Sequence, residues 1–255
     1  MSIISGFKFN KGLGQNFILD EGFLESIVKE LGLLRTDTVV EIGTGAGTMT
    51  RVIAAHVNKI VTYEIDKRLL AVLENQFKGF CNIDLRFADG LKAEIEEGQY
   101  IVVANIPYYI TTPLIMKFMA DDNCTCVCVL VQDDVARRIV AKPGGKDYGA
   151  LTVGLQARAD CRIIKKVPRS VFVPVPNVDS AFVVIDKKDG VQIPETFLKK
   201  IFAARRKTIL NAIGGDKEVA RKVLVEVGID EGLRPEQIPV DKFVELSTKL
   251  AKIRV

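Results

Sequence analysis

The reading of this chain turns on Thr38-Val39-Val40-Glu41-Ile42-Gly43-Thr44-Gly45-Ala46-Gly47, an apolar run that ends in three glycines at alternate positions. A short run rich in β-branched residues predicts a strand covered on both faces. Glycine in the following turn removes the β-carbon that would hold a ligand away from the backbone. A helix is expected from about Thr48. The spacing is G-x-G-x-G, and position 48 is threonine, so the G-x-G-x-x-G pattern of dinucleotide sites is not met. Such a turn suits a nucleoside ligand without a pyrophosphate, and S-adenosylmethionine is one.

Outward from this turn, β-rich runs alternate with helical patterns. Thr38–Ile42, Lys59–Ile65, Ile83–Phe87, Tyr100–Asn105 and Thr125–Val131 read as strands, with helices such as Asp66–Phe77 and Thr112–Ala120 between them. That alternation predicts an α/β fold, a Rossmann-like parallel sheet with helices on both faces. Ala159–Val167 and Val178–Asp186 read as an antiparallel pair closing one edge. The segment from Pro168 to Pro176 between them is too polar and proline-rich for a buried strand. Composition changes near Lys187–Pro194, beyond which Glu195–Ile213, Asp216–Val227 and Val240–Lys252 read as helices. The expected division is a catalytic domain over residues 1–186 and a small all-helical C-terminal domain over 187–255.

The tips of the next strands carry polar groups. Glu64 ends the second strand, 21 residues after Gly43, where doubly wound folds hold a ribose diol. Asp89 follows the third and offers an acceptor for an adenine amino group. The fourth ends in Asn105-Ile106-Pro107-Tyr108-Tyr109. The lone pair of an adenine N6 is delocalised into the ring, so the amine is a poor nucleophile. An Asn105 side-chain oxygen and a nearby main-chain carbonyl that accept both N6 hydrogens would draw the nitrogen towards tetrahedral geometry. Its lone pair then points at a methyl sulfonium. Pro107 stiffens the turn, and Tyr108 offers a ring to stack on an extruded base.

Composition narrows the alternatives. The chain has 255 residues, 48% hydrophobic and 27% charged, an ordinary globular mixture. Its longest apolar runs are strand-length and broken by charge, so no membrane span is expected. The segment from Met1 to Lys11 has no apolar core or cleavage site, and five cysteines show no disulfide framework; the cytoplasm is the expected compartment. Residues 1–185 carry 21 basic and 21 acidic side chains, and residues 186–255 carry 15 and 11, so the net +4 lies wholly in the C-terminal part. That bias fits a phosphate-rich partner. The single histidine, His56, is read as structural, and no Ser/His/Asp or Cys/His set is available. Cys124, Cys126 and Cys128 alternate on one strand face and read as packing, so no metal is expected. No long coiled-coil pattern is present, and a monomer is expected.

These motifs, in this order, resemble the ribosomal RNA small-subunit adenine N6-dimethyltransferase family (KsgA) over nearly the whole chain. Lys11-Gly12-Leu13-Gly14-Gln15-Asn16-Phe17-Ile18-Leu19-Asp20 is similar to the family's opening K-x-L-G-Q-N-F-L-x-D, with isoleucine for the family's leucine at 18. The resemblance implies that residues 1–35 cover the cofactor, with Asn16 and Ile18 folding over it. It implies further that Gly43, Glu64, Asp89 and Asn105 bind S-adenosyl-L-methionine. Asn105-Ile106-Pro107-Tyr108 matches the family's N-[LI]-P-Y. Phe172-Val173-Pro174-Val175-Pro176-Asn177-Val178-Asp179-Ser180-Ala181 resembles F-x-P-x-P-K-V-D-S-A, which implies that Phe172 stacks on the target base opposite Tyr108. Asn177 stands where the family has lysine, which removes one candidate phosphate contact. Arg205-Arg206-Lys207 resembles the basic R-R-K at the head of the family's C-terminal domain and is the implied RNA contact.

The implied activity is dimethylation of the N6 amines of two adjacent adenosines in a hairpin near the 3′ end of small-subunit (16S) rRNA, during ribosome biogenesis. The implied partner is an immature small ribosomal subunit. Alternative readings are the large-subunit rRNA adenine N6-methyltransferase that gives macrolide resistance, and a non-catalytic ribosome assembly factor. A DNA adenine methyltransferase is disfavoured, because the chain has no sizeable domain for reading base sequence.

Overall fold

A computed structural model describes residues 9–10, 14–204 and 206–253. In chain order its elements are β1 (Phe17–Ile18), α1 (Glu21–Leu31), β2 (Thr38–Ile42), α2 (Thr48–Ala54), β3 (Lys59–Glu64), α3 (Leu70–Gln76), β4 (Ile83–Phe87), β5 (Tyr100–Ala104), α4 (Thr111–Ala120), β6 (Cys124–Gln132) and α5 (Asp133–Ile139). Then come α6 (Ala150–Gln156), β7 (Ala159–Val167), β8 (Phe172–Val173), β9 (Ser180–Lys187), α7 (Glu195–Ala203), α8 (Ile209–Ile213), α9 (Lys217–Glu226) and α10 (Val240–Ile253).

Local chemistry explains the helix ends. Asp20 accepts from the Phe23 amide at 2.9 Å and starts α1, and Gly32 closes it in the left-handed region at φ 70°. Asp216 caps α9 in the same way, accepting from the Glu218 and Val219 amides.

The chain folds into two compact units. One holds the residues up to Ala136 together with Arg162–Lys187; the other holds Arg137–Cys161 and the residues from Lys188 onward. The first unit carries a seven-stranded sheet in the order β4-β3-β2-β5-β6-β9-β7. Strands β4, β3, β2, β5 and β6 run parallel, and β9 lies antiparallel to β6, with Ser180 opposite Gln132. Val39, Ile60 and Val103 pack with Leu24, Ile27 and Ile53 of α1 and α2. The alternate residues Val40, Val61 and Val102 are also fully buried, so both sheet faces are covered. Successive strands step outward from β2 to β4, and the chain then returns to lay β5 on the other side of β2. The crevice at the carboxyl ends of β2 and β5 is therefore the topological switch point, where such sheets bind ligands.

The second unit is helical and has its own core, with Tyr148, Val153, Leu198, Phe202, Ile213, Leu224, Phe243 and Leu246 buried together. The Tyr148 hydroxyl donates to the Ile238 carbonyl at 2.8 Å. Residues 137–161, which the sequence put with the sheet, share this core through Tyr148 and Val153. Two elements also differ from the sequence reading. Glu195–Ile213 is two helices, because Ala204 leaves helical geometry and Thr208 is extended at the start of α8. The polar Pro168–Pro176 stretch contains β8, which pairs antiparallel with β1, Phe172 opposite Ile18.

Candidate functional site

The tips of β2, β3, β4 and β5 line a cleft of about 230 Å³ together with the segment from Gly14 to Ile18. Asn16, Ile18, Gly43, Glu64, Asp89 and Asn105 all line it, as do Ile106, Pro107 and Tyr108. Every wall belongs to the sheet-bearing unit.

The floor is the glycine turn. Gly43 and Gly45 have φ of 87° and 59°, a region that side chains with a β-carbon adopt at a cost. A β-carbon on Gly43 would sit 3.2 Å from the Asn105 carbonyl, and one on Gly45 would sit 3.1 Å from the Phe17 ring. Glycine thus lets the turn pass close under both the β5 tip and the covering segment.

Glu64 is almost fully buried and tied to backbone. Its Oε2 accepts from the Gly45 amide at 2.8 Å, and its Oε1 accepts from the Ile65 and Asp66 amides at 2.9 and 2.8 Å. Burial raises its pKa, and those three amides oppose the shift. One carboxylate thereby sets the relation of the β2 turn to the β3 tip.

Glu41 lies beneath the turn with no exposure. Its Oε2 accepts from the Thr50 and Thr62 hydroxyls, both at 2.6 Å, while Oε1 is buried without a hydrogen-bond partner among the described residues. Burial pushes its pKa up to about 7, against the two threonine hydrogen bonds and with a smaller contribution from Glu64. The raised value fixes the sign of a stability effect. The folded protein holds this proton between the ordinary carboxylate range and about pH 7, whereas the unfolded chain has released it. Stability is therefore lost as pH rises through that window. Glu41→Gln keeps an acceptor for the threonines and removes the titration. Urea unfolding should show the variant gaining on the parent by up to about 3 kcal/mol between pH 5 and pH 8, at about 1.4 kcal/mol per pKa unit. Parallel pH profiles would refute this.

Several contacts fasten the covering segment. Gln15 Nε2 donates to Asp66 Oδ2 at 2.8 Å, just past the β3 tip. Gly14 packs so close to Pro107 that a β-carbon there would lie 2.8 Å from the proline Cβ. β1 pairs with β8.

At the β5 tip, Asn105 Nδ2 donates to the Asn16 carbonyl at 3.4 Å, which leaves Oδ1 without a partner among the described residues. Pro107 accepts from the Ile110 amide at 3.1 Å and holds the turn that carries Tyr108. The Tyr108 hydroxyl meets Ser180 Oγ at 2.7 Å, while the neighbouring Tyr109 is exposed.

Phe172 lies in β8, beside the covering strand β1. It is 1% exposed, packed in the main core of the sheet unit, and it does not line the cleft. In β8 it sits opposite Ile18 of β1, and the two share that core. Arg206 and Lys207 are exposed but lie in the break between α7 and α8, so they do not form the helical face expected of them; Arg205 lies outside the described residues, as do Lys11, Gly12 and Leu13 of the opening motif. Cys124, Cys126 and Cys128 are buried free thiols of β6.

Lys117 is a site residue that sequence reasoning passed over. Its ammonium donates to the Gly90, Leu91 and Ala93 carbonyls at 2.9, 3.1 and 2.5 Å, and so holds the loop after β4. Asp89, in that loop, accepts from the Leu91 amide at 3.0 Å. Burial lowers the lysine pKa. Lys117 is the one charged residue in α4, Thr111-Thr112-Pro113-Leu114-Ile115-Met116-Lys117-Phe118-Met119-Ala120, and that was the available signal.

The residues fit S-adenosylmethionine: a glycine floor that admits close approach, buried carboxylates at the β2 and β3 ends, an unpartnered buried oxygen on Glu41, itself a lining residue, and an acceptor loop at β4. Comparison with known proteins points the same way. The model of the ribosomal RNA adenine dimethylase family matches residues 6–252. Ribosomal RNA small subunit methyltransferase A of Clostridioides difficile (strain 630) is 39% identical over an alignment of 261 positions, covering 94% of this chain and 90% of its own. Its counterpart from Geobacillus thermodenitrificans (strain NG80-2) is 38% identical, covering 96% and 92%. Among solved structures, a dimethyladenosine transferase from Plasmodium falciparum has a TM-score of 0.82 at 23% identity, over 94% of this chain and 98% of that one, a likeness of fold. The 23S rRNA methyltransferase ErmE has a TM-score of 0.76 at 25% identity, over 92% and 100%.

Proposed function

This chain belongs to the ribosomal RNA adenine dimethylase family, and from that premise we propose that it dimethylates the N6 amines of two adjacent adenosines in a hairpin near the 3′ end of small-subunit rRNA. Its proposed substrate is an immature small ribosomal subunit, on which it works as a monomer without a metal. No helix among the described residues is long and apolar enough to cross a membrane.

The observation that carries the reading is the convergence of Asn105, Glu64, Asp89 and the Gly43–Gly45 turn on one cleft at the switch point. When bound, S-adenosylmethionine supplies an electrophilic methyl group on a sulfonium. Glu64 is the proposed acceptor for the ribose hydroxyls, Asp89 for the adenine amino group, and Asn16 and Ile18 cover the ligand. Asn105 uses its amide nitrogen on Asn16, so its oxygen is the side left to accept an N6 hydrogen of the target adenine. Tyr108 provides the stacking wall. Orientation rather than a strong base supplies the rate, because the N6 proton can leave after methyl transfer. Arg206 and Lys207, exposed on the helical unit, are the proposed phosphate contacts.

Mass spectrometry of small-subunit rRNA from cells with and without the gene tests this. Loss of two adjacent dimethyladenosines on deletion supports it; an unchanged 3′ hairpin excludes it, and loss of a large-subunit mark would transfer the assignment to the macrolide-resistance type.

A further inference from the structure

The Tyr108 ring is held from its far end. Tyr108 stands in a short turn after the β5 tip, with its backbone set by Pro107 and its side chain half buried. Its hydroxyl shares a 2.7 Å hydrogen bond with Ser180 Oγ. Ser180 is the first residue of β9, only 1% exposed, and its Cα pairs with Gln132 of β6. The residue before it is anchored as well: the Asp133 amide donates to the Asp179 carbonyl at 3.1 Å, and Asp179 Oδ1 accepts from the Arg169 amide at 2.9 Å. The serine is thus mounted on the sheet, and the tyrosine is mounted on a loop.

A loop aromatic with only its α-carbon fixed can choose among staggered side-chain rotamers. A hydrogen bond at the para position removes that freedom, because the ring axis must run from Cβ to the serine. Tyr109 has no such anchor among the described residues and is 68% exposed. The buried partner of Tyr108 therefore serves to aim the ring, since packing the phenol here needs no hydroxyl.

We propose that Ser180 is a positioning residue that fixes the Tyr108 ring as the stacking wall for the target adenine, acting through the Tyr108–Ser180 hydrogen bond. This rests on the proposed RNA-adenine methylation. The effect should fall on orientation at the reacting nitrogen, not on subunit affinity, which phosphate contacts dominate.

The test is methyl transfer from radiolabelled S-adenosylmethionine to under-methylated small subunits, with the full-length protein and four variants: Ser180→Ala, Tyr108→Phe, both together, and Ser180→Thr. Each of the first two should lower kcat about 10-fold, with KM for subunits within about 2-fold and cofactor affinity unchanged. The double variant should be no slower than either single one, because both remove one hydrogen bond. Ser180→Thr should recover most of the rate. Additive losses, an unchanged kcat in Tyr108→Phe, or a loss confined to KM would overturn the proposal. Should Ser180→Ala fail to fold, Tyr108→Phe, which leaves β9 untouched, decides alone on the same kcat criterion. If the unmodified protein itself fails to label subunits, the methylation reading fails first and this inference falls with it.

Discussion

Asn105→Ala should lower kcat for methyl transfer by about 1000-fold, roughly 4 kcal/mol of barrier, while the protein folds normally. The side chain is the polar group at the end of β5 whose oxygen has no partner among the described residues, and its amide nitrogen is directed to the Asn16 carbonyl. Removing it takes away an acceptor for the N6 hydrogen and one tie to the covering segment. The amine then keeps its lone pair delocalised into the ring π system and approaches with no fixed direction. Cofactor affinity should weaken by only a few-fold, because Glu64 and the glycine turn remain. Single-turnover measurements separate the two. A variant that loses cofactor binding in proportion to rate would show that Asn105 serves the cofactor and not the amine.

Glu64→Ala should weaken cofactor binding about 1000-fold, roughly 4 kcal/mol, in calorimetric titration. The carboxylate accepts three backbone amides, from Gly45, Ile65 and Asp66, in a nearly dry site. Deleting it leaves these donors unsatisfied, at about 1–3 kcal/mol each, and lets the glycine turn drift from the β3 tip. It also removes the proposed acceptor for the ribose diol. The same variant should be less stable to urea than the parent. Cofactor affinity within a few-fold of the parent would contradict the assignment of the ribose to this strand tip.

The sequence revealed the sheet well, and for a physical reason. Strands of a parallel sheet are buried on both faces, so Tyr100–Ala104 and Cys124–Gln132 stand out as nearly continuous apolar or β-branched runs. Gly43, Glu64, Asp89 and Asn105 were legible because each sits at or just past a strand tip, where local order in the chain becomes proximity in space. Contacts made at long range were not legible. β1 and β8 are two residues each, too short to show a period, and their pairing joins the two ends of the sheet unit's sequence. That pairing sets Phe172 beside Ile18, a neighbour that local pattern cannot show. Residues 137–161 read as a continuation of the sheet domain because their helix, α6, is short and apolar; only the packing of Tyr148 against helices from the C-terminal part shows where they belong. Lys117 carried a weak signal, a lone charge in an apolar helix, and its role became clear only once the three carbonyls around it were seen.

A crystal structure of the protein with S-adenosylmethionine bound is the decisive measurement. The ribose hydroxyls should lie on Glu64, the adenine amino group beside Asp89, and the methyl group facing Asn105 Oδ1 across a space open to a purine beside Tyr108. A sulfonium turned away from the β5 tip, or a ligand seated outside the cleft floored by Gly43 and Gly45, would contradict this placement.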